Sequence, residues 1–88
     1  MKEIRTTSTV FKDPYSRWIG ISERLDRDET QPGEAIKVLY RPKGSIEPYR
    51  EHTAHVYVER FTDGNIIDVL IADAKVGDEY EVIIKKED

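Results

Sequence analysis

The sequence predicts an all-β domain of antiparallel strands, and three observations carry that prediction. Short runs of β-branched and aromatic residues alternate with polar ones at a period of two. Turn-forming residues separate those runs at short intervals, and no stretch repeats its apolar residues at helical spacing. About six strands arranged this way would leave long hydrophobic edges bare in an open sheet. The expected architecture is therefore a single small antiparallel barrel over residues 1–88, OB-like or SH3-like and at least partly closed.

Residues 4–11 form the first run, rich in threonine and ending at Lys12-Asp13-Pro14. Residues 17–25 form the second, with Trp18, Gly20 and Ser22 on one face and Ile19 and Ile21 on the other. The break after it closes on Gln31-Pro32-Gly33, which suits a type II turn because glycine accepts the positive φ at its third position. Residues 34–41 set Ile36, Val38 and Tyr40 against Lys37, Leu39 and Arg41, and a proline-bounded loop follows over 42–48. Residues 53–61 alternate again, with Ala54, Val56 and Val58 inward and His55, Tyr57 and Glu59 outward. Asp63-Gly64, between that run and residues 65–72, is the strongest hairpin cue in the chain. The last run, 79–85, places Tyr80, Val82 and Ile84 on one face. No internal repeat or linker divides these elements.

Composition narrows the function classes. With 88 residues, 38% of them hydrophobic and 36% charged, the chain suits one domain and is too apolar for a disordered tail. No stretch reaches the roughly 20 apolar residues of a membrane span. The absence of cysteine removes disulfides, thiolate metal sites and cysteine nucleophiles. Met1-Lys2-Glu3-Ile4 lacks the apolar core of a secretory signal, which points to the cytoplasm. Gln31 and Asn65 are the only side-chain amides among many charged residues, a balance resembling that of thermophile proteins.

Residue patterns argue against catalysis, cofactors and metals. Asp26-Arg27-Asp28 begins like a calcium loop, but Gln31 and Lys37 stand where the turn glycine and the bidentate glutamate belong. No glycine-rich loop could cradle a phosphate. His52 and His55, three apart in a strand, point to opposite faces, and His55, Tyr57 and Glu59 lie too far apart along a strand for proton transfer.

Two binding readings follow. Residues 1–18 carry four cations against two carboxylates, and residues 37–50 four against one, within a chain of net charge −4. The same segments hold aromatic residues, and single-stranded nucleic acid needs cations for its phosphates and aromatic faces for its bases. This reading assigns RNA or DNA binding to Lys37, Tyr40, Arg41, Lys43, Tyr49 and Arg50, with Arg17 and Trp18. The second is a protein-interaction or homo-oligomerising module. Apart from Asp68, residues 66–72 are apolar on both faces, and Ile83 faces away from its neighbours' buried side. Ile66, Leu70 and Ile83 would form its interface.

The run from Asp63 to Val82, with its Lys75-Val76-Gly77-Asp78-Glu79 turn before a final strand, is similar to the close of TRAM domains, OB-like RNA-binding barrels of translation and RNA-modification proteins. The resemblance covers about a quarter of the chain and lies in scaffold positions. It implies a barrel closed by a tight turn at Gly77 with Asp78 capping local backbone donors, and it favours RNA as the partner.

Overall fold

Strands form wherever the period-two alternation holds, because each then buries one face and wets the other. The computed structural model describes residues 3–86. It contains eight strands: β1 (Ile4–Thr9), β2 (Phe11–Lys12), β3 (Ile19–Leu25), β4 (Ala35–Pro42), β5 (Arg50–His55), β6 (Tyr57–Val58), β7 (Asn65–Leu70) and β8 (Glu79–Lys86). All pairings are antiparallel, and no helix occurs among the described residues, so none is long and apolar enough to cross a membrane.

The hydrogen bonds group the strands into two four-stranded sheets and not into one closed barrel. Sheet A has the order β1-β8-β4-β5 and sheet B the order β2-β3-β7-β6. Between them lies a single core that includes Ile36, Val38, Val82 and Ile84 from sheet A and Ile21, Ile67 and Val69 from sheet B. Two of the expected six strands are each split by a bend. After β1 the chain passes through buried Val10 into β2, and after β5 it passes through buried Val56 into β6. Each edge strand thus serves both sheets.

The two bends are built alike. The Val10 N–H donates to the Asp78 carbonyl (2.8 Å) and its carbonyl accepts from the Gly77 N–H (2.9 Å). The Val56 N–H donates to the Glu34 carbonyl (2.9 Å) and its carbonyl accepts from the Gly33 N–H (2.7 Å). Gly33 and Gly77 have φ of 89° and 95°, a region where a β-carbon is strained. Each sits third in a turn whose acidic fourth residue caps the first: Glu34 accepts from the Gln31 N–H, and Asp78 from the Lys75 N–H (both 3.0 Å).

This likeness extends through the whole chain and corrects the expectation of no internal repeat. Exchanging β1 with β5, β2 with β6, β3 with β7 and β4 with β8 returns both sheet orders reversed. It also maps register pairs onto register pairs: Phe11–Gly20 onto Tyr57–Ile66, Ile4–Ile84 onto Arg50–Tyr40, and Gly20–Leu70 onto Ile66–Arg24. The β2–β3 and β6–β7 hairpins match in detail. Asp13 and Glu59 accept from the hydroxyls of Ser16 and Thr62, while Arg17 and Asp63 take positive φ at 64° and 59°. The two halves are related by a pseudo-two-fold axis passing between Ser22 and Asp68 in sheet B and between Leu39 and Ile83 in sheet A.

The Asp63-Gly64 cue marks a real hairpin with a longer loop than a two-residue turn. The Glu59 N–H donates to the Gly64 carbonyl, and Asp63 takes the left-handed conformation. Gly20 leaves no room for a side chain, since a β-carbon there would lie 2.0 Å from the Val69 carbonyl oxygen. Gly20→Ala is expected to lower unfolding stability by about 3 kcal/mol or more, whereas Gly64→Ala, whose new β-carbon meets only ordinary contact, stays within about 1 kcal/mol. Urea denaturation of the two variants measures the difference.

Candidate functional site

The residues proposed for nucleic acid do not share one surface. Alternation along β4 sends Lys37 and Arg41 to the outer face of sheet A, on the side where the Arg41 guanidinium lies 4.1 Å from the centre of the Tyr49 ring. Tyr40 faces the other way and packs against the core, its ring 6.1 Å from that of Tyr80, with the Arg50 guanidinium 6.0 Å away. Lys43 lies in the turn after β4, and Arg17 and Trp18 belong to the β2–β3 hairpin of sheet B.

The four cations of residues 37–50 are also occupied. Lys37 pairs with Glu51 at 3.1 Å, Arg41 with Glu81 at 2.9 Å, Lys43 with Glu79 at 3.7 Å and Arg50 with Asp73 at 3.0 Å. Arg41 beside Glu81 and Arg50 beside Asp73 hold those carboxyls below their ordinary pKa values. The local surface is therefore close to neutral, although residues 37–50 read as basic along the chain.

The interface candidates separate as well. Ile83 lies on the outer face of sheet A, between Arg5 and Leu39 in register, and is only 5% exposed. Ile66 and Leu70 lie on the outer face of sheet B; Ile66 is buried outside the core cluster and Leu70 is 62% exposed.

That outer face forms a groove of about 330 Å³ lined by Phe11, Asp13, Trp18, Ser22, Arg24, Tyr57, Glu59, Ile66 and Asp68. Local chain geometry explains its shape. Gly20 carries no side chain between Phe11 and Leu70, and the Trp18 ring stands edge-on to Phe11 with centroids 5.1 Å apart. Asp68 is half-buried near the axis and accepts hydrogen bonds from the Ser22 hydroxyl and from the Tyr57 hydroxyl (2.6 Å). Burial first, and then the Asp68 carboxylate, push the Tyr57 phenol well above its ordinary pKa, so Tyr57 remains a donor. Hydrogen bonds from Ser16 and the Tyr15 N–H lower the pKa of Asp13 and keep it ionised.

No protein family, curated protein or solved structure matches this chain. No group of three or more His, Cys, Asp or Glu side chains converges for metal binding among the described residues. His52 and His55 are exposed on edge strand β5, and the bend at Val56 puts Tyr57 and Glu59 in the groove while His55 stays in sheet A.

Sequence reasoning singled out Trp18, Ile66 and Leu70 but missed Phe11, Asp13, Ser22, Tyr57, Glu59 and Asp68 as their companions. The available signal was the repeated motif Val-aromatic-x-acid-x-aromatic-hydroxyl, present at Val10-Phe11-Lys12-Asp13-Pro14-Tyr15-Ser16 and again at Val56-Tyr57-Val58-Glu59-Arg60-Phe61-Thr62.

Because Asp73 and Glu81 have lowered folded-state pKa values, their contribution to stability is complete above the ordinary carboxylate values of 3.8 and 4.5 and is lost as pH falls through the folded-state values. The melting temperature should hold between about pH 7 and pH 5 and drop below that, with a shallower drop in Glu81→Gln. Thermal melts from about pH 7 down to about pH 2 check the slope.

Proposed function

We propose that this chain is a non-catalytic binding module whose contact surface is the outer face of sheet B with its two hairpins, and whose partner is a protein. One observation carries the reading. Of the eight large apolar side chains exposed on the described residues, five belong to this face or its hairpins: Phe11, Tyr15, Tyr57, Phe61 and Leu70. Tyr15 and Phe61, 86% and 82% exposed, occupy matching positions in the two hairpins and extend the apolar surface beyond the groove. Exposed apolar groups gathered on one side, with aromatics prominent, are a signature of a recognition surface.

The nucleic-acid reading, with the OB-like or SH3-like barrel and the TRAM-like close that favour it, is supported by a strand circuit linked covalently at Val10 and Val56. Against it stand the ion pairs on Lys37, Arg41, Lys43 and Arg50, since each cation would have to leave a carboxylate to reach a phosphate.

Backbone amide NMR separates the two. A pool of short single-stranded RNA and DNA should leave residues 37–50 unmoved at low salt. Leu70→Glu should keep the melting temperature within a few degrees while abolishing shifts produced by peptide pools around Trp18 and Ser22. Salt-sensitive oligonucleotide shifts at residues 37–50 would replace this reading with the nucleic-acid one. Ile83→Lys, in contrast, should destabilise the fold by about 2 kcal/mol or more, because that position is buried.

A further inference from the structure

The groove differs from the outer face of sheet A in how its charges are partnered. The carboxylates on the outer face of sheet A meet cations: Glu3 meets Arg5 and Lys85, Glu51 meets Lys37, Glu79 meets Lys43 and Glu81 meets Arg41. In the groove, Asp13 and Asp68 have no cation within ion-pair distance among the described residues, and the one cation present, Arg24, is held by Glu59 at 3.5 Å. Asp68 takes its hydrogen bonds from two neutral hydroxyls, which leave its negative charge in place. Phe11, Trp18 and Tyr57 stand around it.

Carboxylates and aromatic faces attract the same class of ligand. A cation over an aromatic face gains from the ring quadrupole, and it gains more when a carboxylate lies beyond the ring in a partly desolvated groove. A long cationic side chain also lays its methylene stem on apolar surface, which Phe11 and Leu70 supply. The chain's net charge of −4 steers the same kind of partner toward the molecule.

We propose that the groove of sheet B docks a basic segment of a partner protein, seating a lysine or arginine side chain among Phe11, Trp18 and Tyr57 with its charge toward Asp68. This rests on the reading of sheet B as the contact face and adds the chemistry of the partner. The pseudo-two-fold axis gives the groove two similar ends, Phe11 with Asp13 and Tyr57 with Glu59; Arg24 already occupies Glu59, so a second basic residue on one extended segment finds its carboxylate at Asp13.

The test uses the full chain and four capped peptides of one sequence, carrying at two positions lysine, acetyl-lysine, norleucine or glutamate. Trp18, the only tryptophan, reports by fluorescence, and amide NMR locates the contact. The expected result is that the lysine peptide binds at least about fivefold more tightly than the acetyl-lysine and norleucine peptides. The glutamate peptide should not bind, and added salt should narrow the gap. Asp68→Asn and Asp13→Asn should each weaken the lysine peptide severalfold. Should Asp68→Asn fail to fold, Asp13→Asn carries the comparison. Equal binding of the lysine and norleucine peptides at the groove would overturn the cationic assignment and leave the contact face standing. Silence from all four peptides would also overturn it. In that case, peptide-pool shifts that Leu70→Glu does not remove, or none at all, would overturn the contact face as well.

Discussion

At Val10 and again at Val56 the chain leaves one sheet for the other without an intervening loop, and at both places its backbone donor and acceptor are taken up by a glycine turn. Both valines are buried, so an unmet N–H or C=O there would cost on the order of 1–3 kcal/mol. The turns that meet them lie immediately before β4 and β8, the two central strands of sheet A. The same four hydrogen bonds that bend the edge strands therefore also set where the central strands begin. Register in sheet A follows from them, and with it the side to which every residue of β4 and β8 points.

That constraint divides the molecule into two unlike surfaces. On sheet A, cross-strand neighbours of opposite charge cover the outer face and bury Ile83 and much of Leu39 between them, so it is a finished surface. On sheet B the short edge strands β2 and β6 end in hairpins whose tips carry exposed aromatic rings, and the floor between them holds a carboxylate bound only to hydroxyls. The outer face of sheet A is thus balanced pairwise, while the groove of sheet B keeps Asp13 and Asp68 without a cation at ion-pair distance among the described residues.

Much of the architecture was legible in the sequence. The strand positions, the antiparallel arrangement and the turns at Gly33 and Gly77 follow from alternation and turn chemistry, both local properties. The bends at Val10 and Val56 were not legible, because a buried valine reads the same in a straight strand as at a corner. The internal repeat escaped notice because the two halves share pattern more than identity, and the connections before β4 and β8 differ in length. The site was partly legible for a related reason. Positions 37–50 read as basic because their partners, Glu79, Glu81 and Asp73, lie in another part of the chain. The groove was hidden because Phe11 and Tyr57 are brought onto one face only when both edge strands have crossed into sheet B.

The pseudo-two-fold has a chemical consequence at its own axis. In a dimer of identical halves, the residue facing its counterpart across the axis must face itself: serine would meet serine, or aspartate would meet aspartate, with two like charges in contact. A single polypeptide carrying both halves is free of that rule. Here the position is split into Ser22 as donor and Asp68 as acceptor. Covalent continuity thus lets a nearly symmetric scaffold hold one uncompensated charge at its centre, which gives the groove a polarity that no true two-fold could have.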